Sequence, residues 1–133
     1  MVNIGLVISE FNREITEQME AEAQETIQAQ DASLVDSVYV PGVYDAPLAA
    51  DRLARRQDID AVAVIGTIIT GDTNHDEVIA HAAAQKITDI SVDRDTPITL
   101  GVTGPGMSAD EAYARTEKGG AAVSGAIDLY NQL

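Results

Sequence analysis

The sequence has 133 residues, of which 45% are hydrophobic, so it is long enough for one domain with a buried core. It contains no cysteine, which excludes disulfide bonds, thiolate metal sites and a cysteine nucleophile. The 22 acidic and 8 basic residues give a net charge of -14, and a surface of this sign repels nucleic acid and anionic membranes.

The acidic excess also predicts the ionic conditions in which the protein works. Lys86 and Lys118 are the only lysines. We interpret this charge as typical of a halophilic source, because screening over about 3 Å at 1 M salt suppresses self-repulsion. An acidic protein from an ordinary cytoplasm is the alternative. No apolar run reaches the roughly 20 residues of a membrane span and residues 1–5 do not resemble a signal peptide, so we expect a cytoplasmic location.

Four short apolar runs rich in β-branched residues predict buried strands at residues 2–8, 34–40, 61–65 and 98–102. Helical patterns lie between and after them. The first covers residues 12–30 and places Ile15, Met19 and Ala23 on one face, the second is capped by Asp45 with Leu48, Leu53 and Ala54 facing inward, and the last two cover residues 74–90 and 108–130. Ser108 and Glu111 have the spacing of a capping box at the start of the last helix.

Strand and helix alternate four times, which predicts a four-stranded parallel sheet with helices on both faces. The expected architecture is a three-layer α/β/α sandwich that forms one domain over residues 1–133. Ligands bind such sheets where the loops after the carboxyl ends of the strands converge. Those loops are residues 10–12, 41–45, 66–75 and 103–107.

The third of these loops has the spacing of a nucleotide-binding P-loop at residues 66–73. Asp72 occupies the position of the phosphate-binding lysine, where a carboxylate would repel phosphate, so the pattern does not favour nucleotide hydrolysis. Gly71, the backbone amides around Asp72 and the hydroxyl group of Thr73 can instead hold a single phosphate at a helix N-terminus. The alternative is an ordinary tight turn in which Thr73 or Asn74 caps the helix.

His75 is predicted to lie in the first turn of that helix, where the helix dipole favours a neutral imidazole that can accept a proton. A purely structural histidine is the alternative. Metal binding is not favoured, because His75 and His81 are six residues apart and face different sides of the helix, whereas only Glu77 and His81 share a face.

Three further side chains are candidates for ligand contacts. Phe11 is the only phenylalanine and lies in a loop, where it can stack on a planar ligand or plug the core. Tyr44 and Asp45 follow a glycine that permits close backbone approach, although Asp45 could also be a simple helix cap. Arg115, on the last predicted helix, could bind phosphate through two hydrogen bonds or pair with Glu111 four residues earlier.

Three ordered segments, residues 8–12, 40–47 and 65–77, resemble the 6,7-dimethyl-8-ribityllumazine synthase family of riboflavin biosynthesis. The sequences Gly-Asp-Thr-Asn-His-Asp-Glu at 71–77 and Gly-Val-Thr-Gly-Pro-Gly-Met at 101–107 are most similar to its archaeal branch, which agrees with a halophilic source. The resemblance implies a flavodoxin-like fold. It also implies condensation of 5-amino-6-(D-ribitylamino)uracil with 3,4-dihydroxy-2-butanone 4-phosphate to give lumazine, phosphate and water, without a metal or organic cofactor.

The resemblance further implies a role for each matching residue. His75 would move protons. The pyrimidine and its ribityl chain would be bound by Phe11, Asn12, Val43, Tyr44, Asp45, Ile68, Ile69 and Leu100, and the phosphate by Gly71, Asp72, Thr73 and Arg115. Many family members carry glutamate where Asp45 stands and phenylalanine where Tyr44 or Leu100 stands. The segment from Arg115 to Lys118 is shorter than the common bacterial pattern, so Lys118 is not assigned to the site.

Family members assemble as pentamers, in some cases twelve of them in an icosahedral shell, and neighbouring subunits share active sites. The resemblance therefore implies a homo-oligomer, with Phe11 from one subunit and Arg115 with His75 from the next, or a similar split. Two other functions stay open. One is archaeal riboflavin synthase, which dismutates two lumazine molecules, and the other is a non-catalytic module that binds a flavin phosphate.

Overall fold

A four-stranded parallel sheet forms the middle layer of the protein. The computed structural model describes residues 1–133. Its strands are β1 (Asn3–Ser9), β2 (Ser33–Val40), β3 (Ala61–Thr67) and β4 (Ile98–Thr103), hydrogen-bonded in the order β2-β1-β3-β4. Every neighbouring pair is parallel. All four predicted strands are confirmed to within two residues at each end.

Helices cover both faces of this sheet, which confirms the three-layer sandwich. They are α1 (Arg13–Ala29), α2 (Ala46–Ala54), α3 (His75–Arg94), α4 (Ala109–Tyr113) and α5 (Lys118–Gln132), with a short 3-10 turn at Val43–Asp45. One core layer contains residues of α1, α4 and α5, and the other contains residues of α2 and α3. The strand order matches the first four strands of the flavodoxin-like fold. None of the helices combines the length and the apolar character that a bilayer crossing requires.

β3 shows why the sheet has two cores. Its residues are all buried, and alternate side chains point to opposite faces of a strand. Ala61, Ala63 and Ile65 join the core beneath α1 and α5, whereas Val62 and Val64 join the core beneath α2 and α3. A continuous apolar run is therefore required here, and each fully buried Val or Ile contributes roughly 1.5–3 kcal/mol.

The prediction of one continuous helix over residues 108–130 is wrong. The capping box of Ser108 and Glu111 is present, but it begins only the short helix α4, and a turn at residues 114–117 separates α4 from α5. Packing against α1 fixes the direction of α5, because a Cβ atom at Gly119 would overlap the carbonyl oxygen of Met19. Arg115 consequently lies in a turn rather than on the last helix.

The prediction for α2 is correct in place but wrong in two details. Leu53 and Ala54 are buried, whereas Leu48 is 63% exposed. The buried positions of α2 are spaced from Ala46, and Leu48 falls on the opposite face. Asp45 makes no side-chain cap to α2, because its carboxylate accepts the backbone N–H of Gly42 at 3.1 Å. α3 also continues four residues beyond its predicted end.

Candidate active site

A cleft of about 440 Å³ lies at the carboxyl ends of β1 and β3. It lies where the fold class predicts a ligand site. Its walls come from three loops and the start of α3. The lining residues are Ser9, Phe11, Pro41, Gly42, Val43, Tyr44, Asp45, Thr67, Ile68, Ile69, Gly71, Thr73, His75, Asp76 and Ile79.

Phe11 and Tyr44 give the cleft two aromatic side chains. Phe11 is 70% exposed and Tyr44 65% exposed, so neither plugs the core. Backbone hydrogen bonds hold the Phe11 turn beside the end of β2: the N–H of Glu10 donates to Val40 at 2.8 Å and that of Phe11 to Pro41 at 3.0 Å. Exposed aromatic faces held by a rigid backbone can stack on a planar heterocycle.

The third loop is fixed at one end by the loop after β4. The N–H of Ile68 donates to the carbonyl oxygen of Thr103, and that of Thr70 to Met107, both at 2.8 Å. Gly104 has a φ of 98° and lies so close to the Ile68 carbonyl that a Cβ atom would overlap it. Only glycine combines that backbone conformation with that contact. The apolar side chains of Ile68 and Ile69 are thereby held at the cleft.

Beyond Thr70, the same loop presents unpaired backbone donors. The N–H groups of Gly71, Asp72 and Thr73 make no hydrogen bond within the protein. A Cβ atom built on Gly71 would meet no atom within 4 Å, so there is open space in front of this backbone. Free N–H groups before the first turn of a helix form a suitable cradle for an anion.

His75 begins α3 at the edge of this cradle. The N–H of His75, the first residue of α3, donates to the Thr73 hydroxyl oxygen at 3.3 Å, and Asn74 at the N-cap makes no side-chain cap. The hydroxyl hydrogen of Thr73 is still able to donate to a ligand. The imidazole of His75 is exposed and lines the cleft. It can therefore reach a bound molecule, and the hydrogen bond from His75 to Thr73 is compatible with the cradle.

The cleft contains Asp45 and Asp76 but no arginine or lysine. Arg115 lies outside it, half exposed, with its Nη2 3.8 Å from Oε2 of Glu111. Hydrogen bonds from the backbone and side chain of Ser108 lower the pKa of Glu111, so this partner stays ionised. One chain alone thus offers a phosphate cradle without a cation.

The structure brings together most, but not all, of the residues predicted for the site. Nine lie on the cleft: Phe11, Val43, Tyr44, Asp45, Ile68, Ile69, Gly71, Thr73 and His75. Four do not: Asn12, Leu100, Asp72 and Arg115. Leu100 is half exposed on the edge strand β4. Because Phe11 and His75 line one cleft of one chain, the predicted split that assigns them to different subunits does not describe this site.

Six lining residues are not among those predicted for the site: Ser9, Pro41, Gly42, Thr67, Asp76 and Ile79. Thr67 accepts a hydrogen bond from the hydroxyl of Thr103 at 2.8 Å, which joins the ends of β3 and β4. Asp76 is buried, and its position in the first turn of a helix is a signal that could have indicated a structural carboxylate. No group of three His, Asp or Glu side chains is placed to hold a metal ion.

The sequence profile of 6,7-dimethyl-8-ribityllumazine synthase matches residues 1–133. The chain belongs to this family. A protein of Halobacterium salinarum with that name is 61% identical over all of both chains. Proteins of the same name from Halorubrum lacusprofundi and Methanocaldococcus jannaschii are 59% and 45% identical over all of this chain and 99% and 94% of their own. The lumazine synthase resemblance read from three motifs therefore holds over the whole chain.

Proposed function

We propose that the cleft condenses 5-amino-6-(D-ribitylamino)uracil with 3,4-dihydroxy-2-butanone 4-phosphate to form 6,7-dimethyl-8-ribityllumazine. The observation that carries this assignment is that one cleft contains the aromatic rings of Phe11 and Tyr44, a set of unpaired backbone N–H groups, and a histidine at the edge of that set. The aromatic rings suit a planar pyrimidine, and the unpaired N–H groups suit a phosphate monoester. Membership of the lumazine synthase family supports the same reaction.

In this proposal each wall of the cleft binds one part of a substrate. Phe11 stacks on the pyrimidine, and Ile68 and Ile69 line its edge. The ribityl chain lies along Val43, Tyr44 and Asp45, where the polar groups can bind its hydroxyl groups. The phosphate of the butanone occupies the cradle of Gly71, Asp72 and Thr73, and Asp72 contributes only its backbone N–H.

The chemistry needs no nucleophile from the protein, because the 5-amino group of the pyrimidine attacks the ketone. Loss of water gives an imine, a proton is removed as phosphate leaves, and the ribitylamine nitrogen then closes the ring with loss of a second water. His75 lies beside the cradle, so it can take the proton removed during phosphate elimination and return it later. Holding amine and ketone in reacting geometry supplies much of the remaining acceleration.

A second copy of the chain completes the phosphate site in this proposal. The cleft contains two carboxylates and no cation, and a cation would offset the charge of a phosphate dianion in a protein of net charge -14. Arg115 and Leu100 are exposed elsewhere on the surface and are available to a neighbour. A contact between two different surfaces of identical chains forms a ring where the rotation between them closes, and an open filament where it does not. This geometry favours a cyclic homo-oligomer such as the pentamer of the family, and we place its reaction in the cytoplasm.

The direct test is formation of lumazine by the purified protein at about 1 M potassium chloride. Both substrates are supplied, and the product is followed by absorbance and fluorescence against a reaction without protein. Enzyme-dependent lumazine formation supports the proposal. A folded protein that gives only the background rate contradicts it, and riboflavin formed from lumazine alone would instead indicate the riboflavin synthase reaction.

Mixed oligomers test the shared site. His75→Ala and Arg115→Ala chains are unfolded together, refolded as an equimolar mixture and compared with each variant treated alone. If the cleft and Arg115 come from different chains, about a quarter of the sites in random mixtures regain both side chains, and activity rises above that of either variant. A mixture that is no more active than the separate variants contradicts the sharing of sites.

A further inference from the structure

Asp76 is a buried carboxylate in the wall of the cleft to which the proposed reaction assigns no step. It is the second residue of α3 and is 8% exposed. Its Oδ2 accepts the backbone N–H of Gly106 at 3.0 Å and lies 3.5 Å from the hydroxyl oxygen of Thr70. One carboxylate oxygen therefore contacts Thr70 of the third site loop, residues 66–75, which is called the phosphate loop below, and Gly106 of the loop after β4.

Few other hydrogen bonds join these two loops near Asp76. Their backbone hydrogen bonds, from Ile68 to Thr103 and from Thr70 to Met107, end at Thr70. Beyond that residue, the next three N–H groups are unpaired. The bond of Thr70 thus fixes one side of the cradle, and the Gly106 contact of Asp76 fixes the other side against the loop after β4. Without it, the only hydrogen bond left on that side of the cradle would be the local one from the N–H of His75 to the Thr73 hydroxyl oxygen.

Electrostatics alone would disfavour a carboxylate at this place. Asp76 lies one residue after His75 and three after Thr73, so its charge repels a phosphate bound in the cradle. The positive N-terminal end of the α3 dipole favours the negative charge of Asp76, but it favours the charge of a phosphate bound at that end as well. A carboxylate that opposes ligand binding by its charge is explained if its hydrogen bonds set the geometry.

We infer that Asp76 is a positioning residue, which holds the phosphate loop against the loop after β4 so that the free N–H groups converge on one phosphate. This inference rests on the proposed function. Asp76 acts through its acceptor oxygen and not through its charge. An asparagine can retain that acceptor and lacks the charge, so Asp76→Asn is expected to be tolerated, whereas Asp76→Ala is expected to weaken binding of the phosphate substrate.

Steady-state kinetics test the inference. Asp76→Ala is expected to raise KM for the butanone phosphate about tenfold, the usual effect of losing a hydrogen bond to a charged group, and to leave KM for the ribitylaminouracil within about twofold. Asp76→Asn is expected to match the wild-type KM or to lower it. An Asp76→Asn variant as impaired as Asp76→Ala would overturn the inference, because charge would then be the required property.

Glu20→Gln is the matched control, since Glu20 is the other buried carboxylate and lies outside the cleft. It is expected to lower Tm without changing either KM. If Glu20→Gln raised the KM for the phosphate substrate as much as Asp76→Ala, the effect would be general destabilisation and the inference would fail.

Amide hydrogen exchange in the unliganded protein separates failure of this inference from failure of the proposed function. In Asp76→Ala, exchange of the Gly106 amide is expected to accelerate at least about tenfold, and in Asp76→Asn it should stay slow. An unchanged exchange rate of the Gly106 amide in Asp76→Ala contradicts the positioning role of Asp76, whether or not the protein makes lumazine. A wild-type protein that makes no lumazine refutes the proposed function. The exchange result then decides by itself whether Asp76 holds the two loops together.

Discussion

The two buried carboxylates of this protein belong to regions of opposite character. Glu20, 6% exposed between α1 and β2, accepts hydrogen bonds from Arg13 at 2.7 Å, from the Tyr39 hydroxyl group and from Gln24 at 3.4 Å. The Arg13 guanidinium also lies 5.2 Å from the centre of the Tyr39 ring. Glu20 therefore has its charge partner and its donors within the chain.

Asp76 lies instead in a region whose partners are incomplete. Around it are two exposed aromatic rings and three unpaired N–H groups, and no cation lines the cleft. A buried charge whose partners all lie in the chain is compensated within the fold, and removing one of those partners is destabilising, whereas unpaired donors beside an open space are suited to a group that the chain does not contain. The contact between α1 and β2 at Glu20, called the flank below, therefore serves folding, whereas the cleft serves binding. The following changes should affect one region and spare the other.

The largest effect is expected from His75→Ala, which removes the only imidazole of the cleft. Turnover should fall about 100-fold, the usual contribution of general acid–base catalysis, with measurable residual activity because positioning remains. His81→Ala is the control, since His81 lies on the same helix but outside the cleft. Equal losses in the two variants would contradict the assignment, and steady-state rates at saturating substrates decide it.

Arg115→Ala is expected to have the next largest effect. KM for the butanone phosphate should rise roughly 30-fold through loss of a charge-assisted hydrogen bond, with less effect on turnover and none on Tm, because the only partner of Arg115 in the chain is an exposed carboxylate at 3.8 Å. Arg52→Ala serves as control, since Arg52 is not among the arginines that form ion pairs and lies outside the cleft. An unchanged KM in Arg115→Ala would argue against sharing of the site.

Salt should stabilise both regions equally, because it screens the repulsion between exposed charges over the whole surface. Only Glu20 and Asp76 among the 22 acidic residues are buried. Screening of the remainder is expected to raise Tm by several degrees between about 0.1 M and 1 M potassium chloride. Differential scanning fluorimetry measures the shift. A Tm that did not rise would favour an ordinary acidic protein over a halophilic one.

Tyr39→Phe should have a smaller effect, confined to the flank. Loss of the hydroxyl that donates to Glu20 is expected to lower the free energy of unfolding by about 1 kcal/mol and to leave kcat/KM unchanged. The hydrogen bond to Glu20 raises the pKa of Tyr39, so this stabilisation is complete below the unfolded pKa, near 10, and is lost as pH rises through the folded pKa. The Tm difference between wild type and variant should therefore shrink only above about pH 10.

Gly71→Ala should have the smallest structural effect. A Cβ atom there meets nothing within 4 Å, so Tm should change by less than about 2 °C. KM for the butanone phosphate should nevertheless rise severalfold, since the methyl group keeps the phosphate from the backbone. Chemical denaturation and steady-state kinetics on the same preparation check both parts.

The strands and the site loops could be predicted because local patterns determine them. β3 is a continuous apolar run, and a parallel sheet requires its ligand loops to follow the strands. The break at residues 114–117 could not be predicted, since Ala-Arg-Thr-Glu contains no glycine or proline and the direction of α5 depends on the Gly119 contact with α1. The role of Asp76 was equally hidden, because its partner Gly106 is 30 residues away.

The place of β1 in the sheet also constrains how the protein folds on the ribosome. Ile4, Leu6 and Ile8 are fully buried, and β1 pairs with β3 from Ile4 opposite Ala61. The nascent chain therefore carries an apolar strand with one open edge until more than fifty further residues have been made. Such an edge invites pairing with other chains, so correct folding is expected to compete with aggregation during synthesis, and mutations that weaken β3 should appear first as insoluble protein.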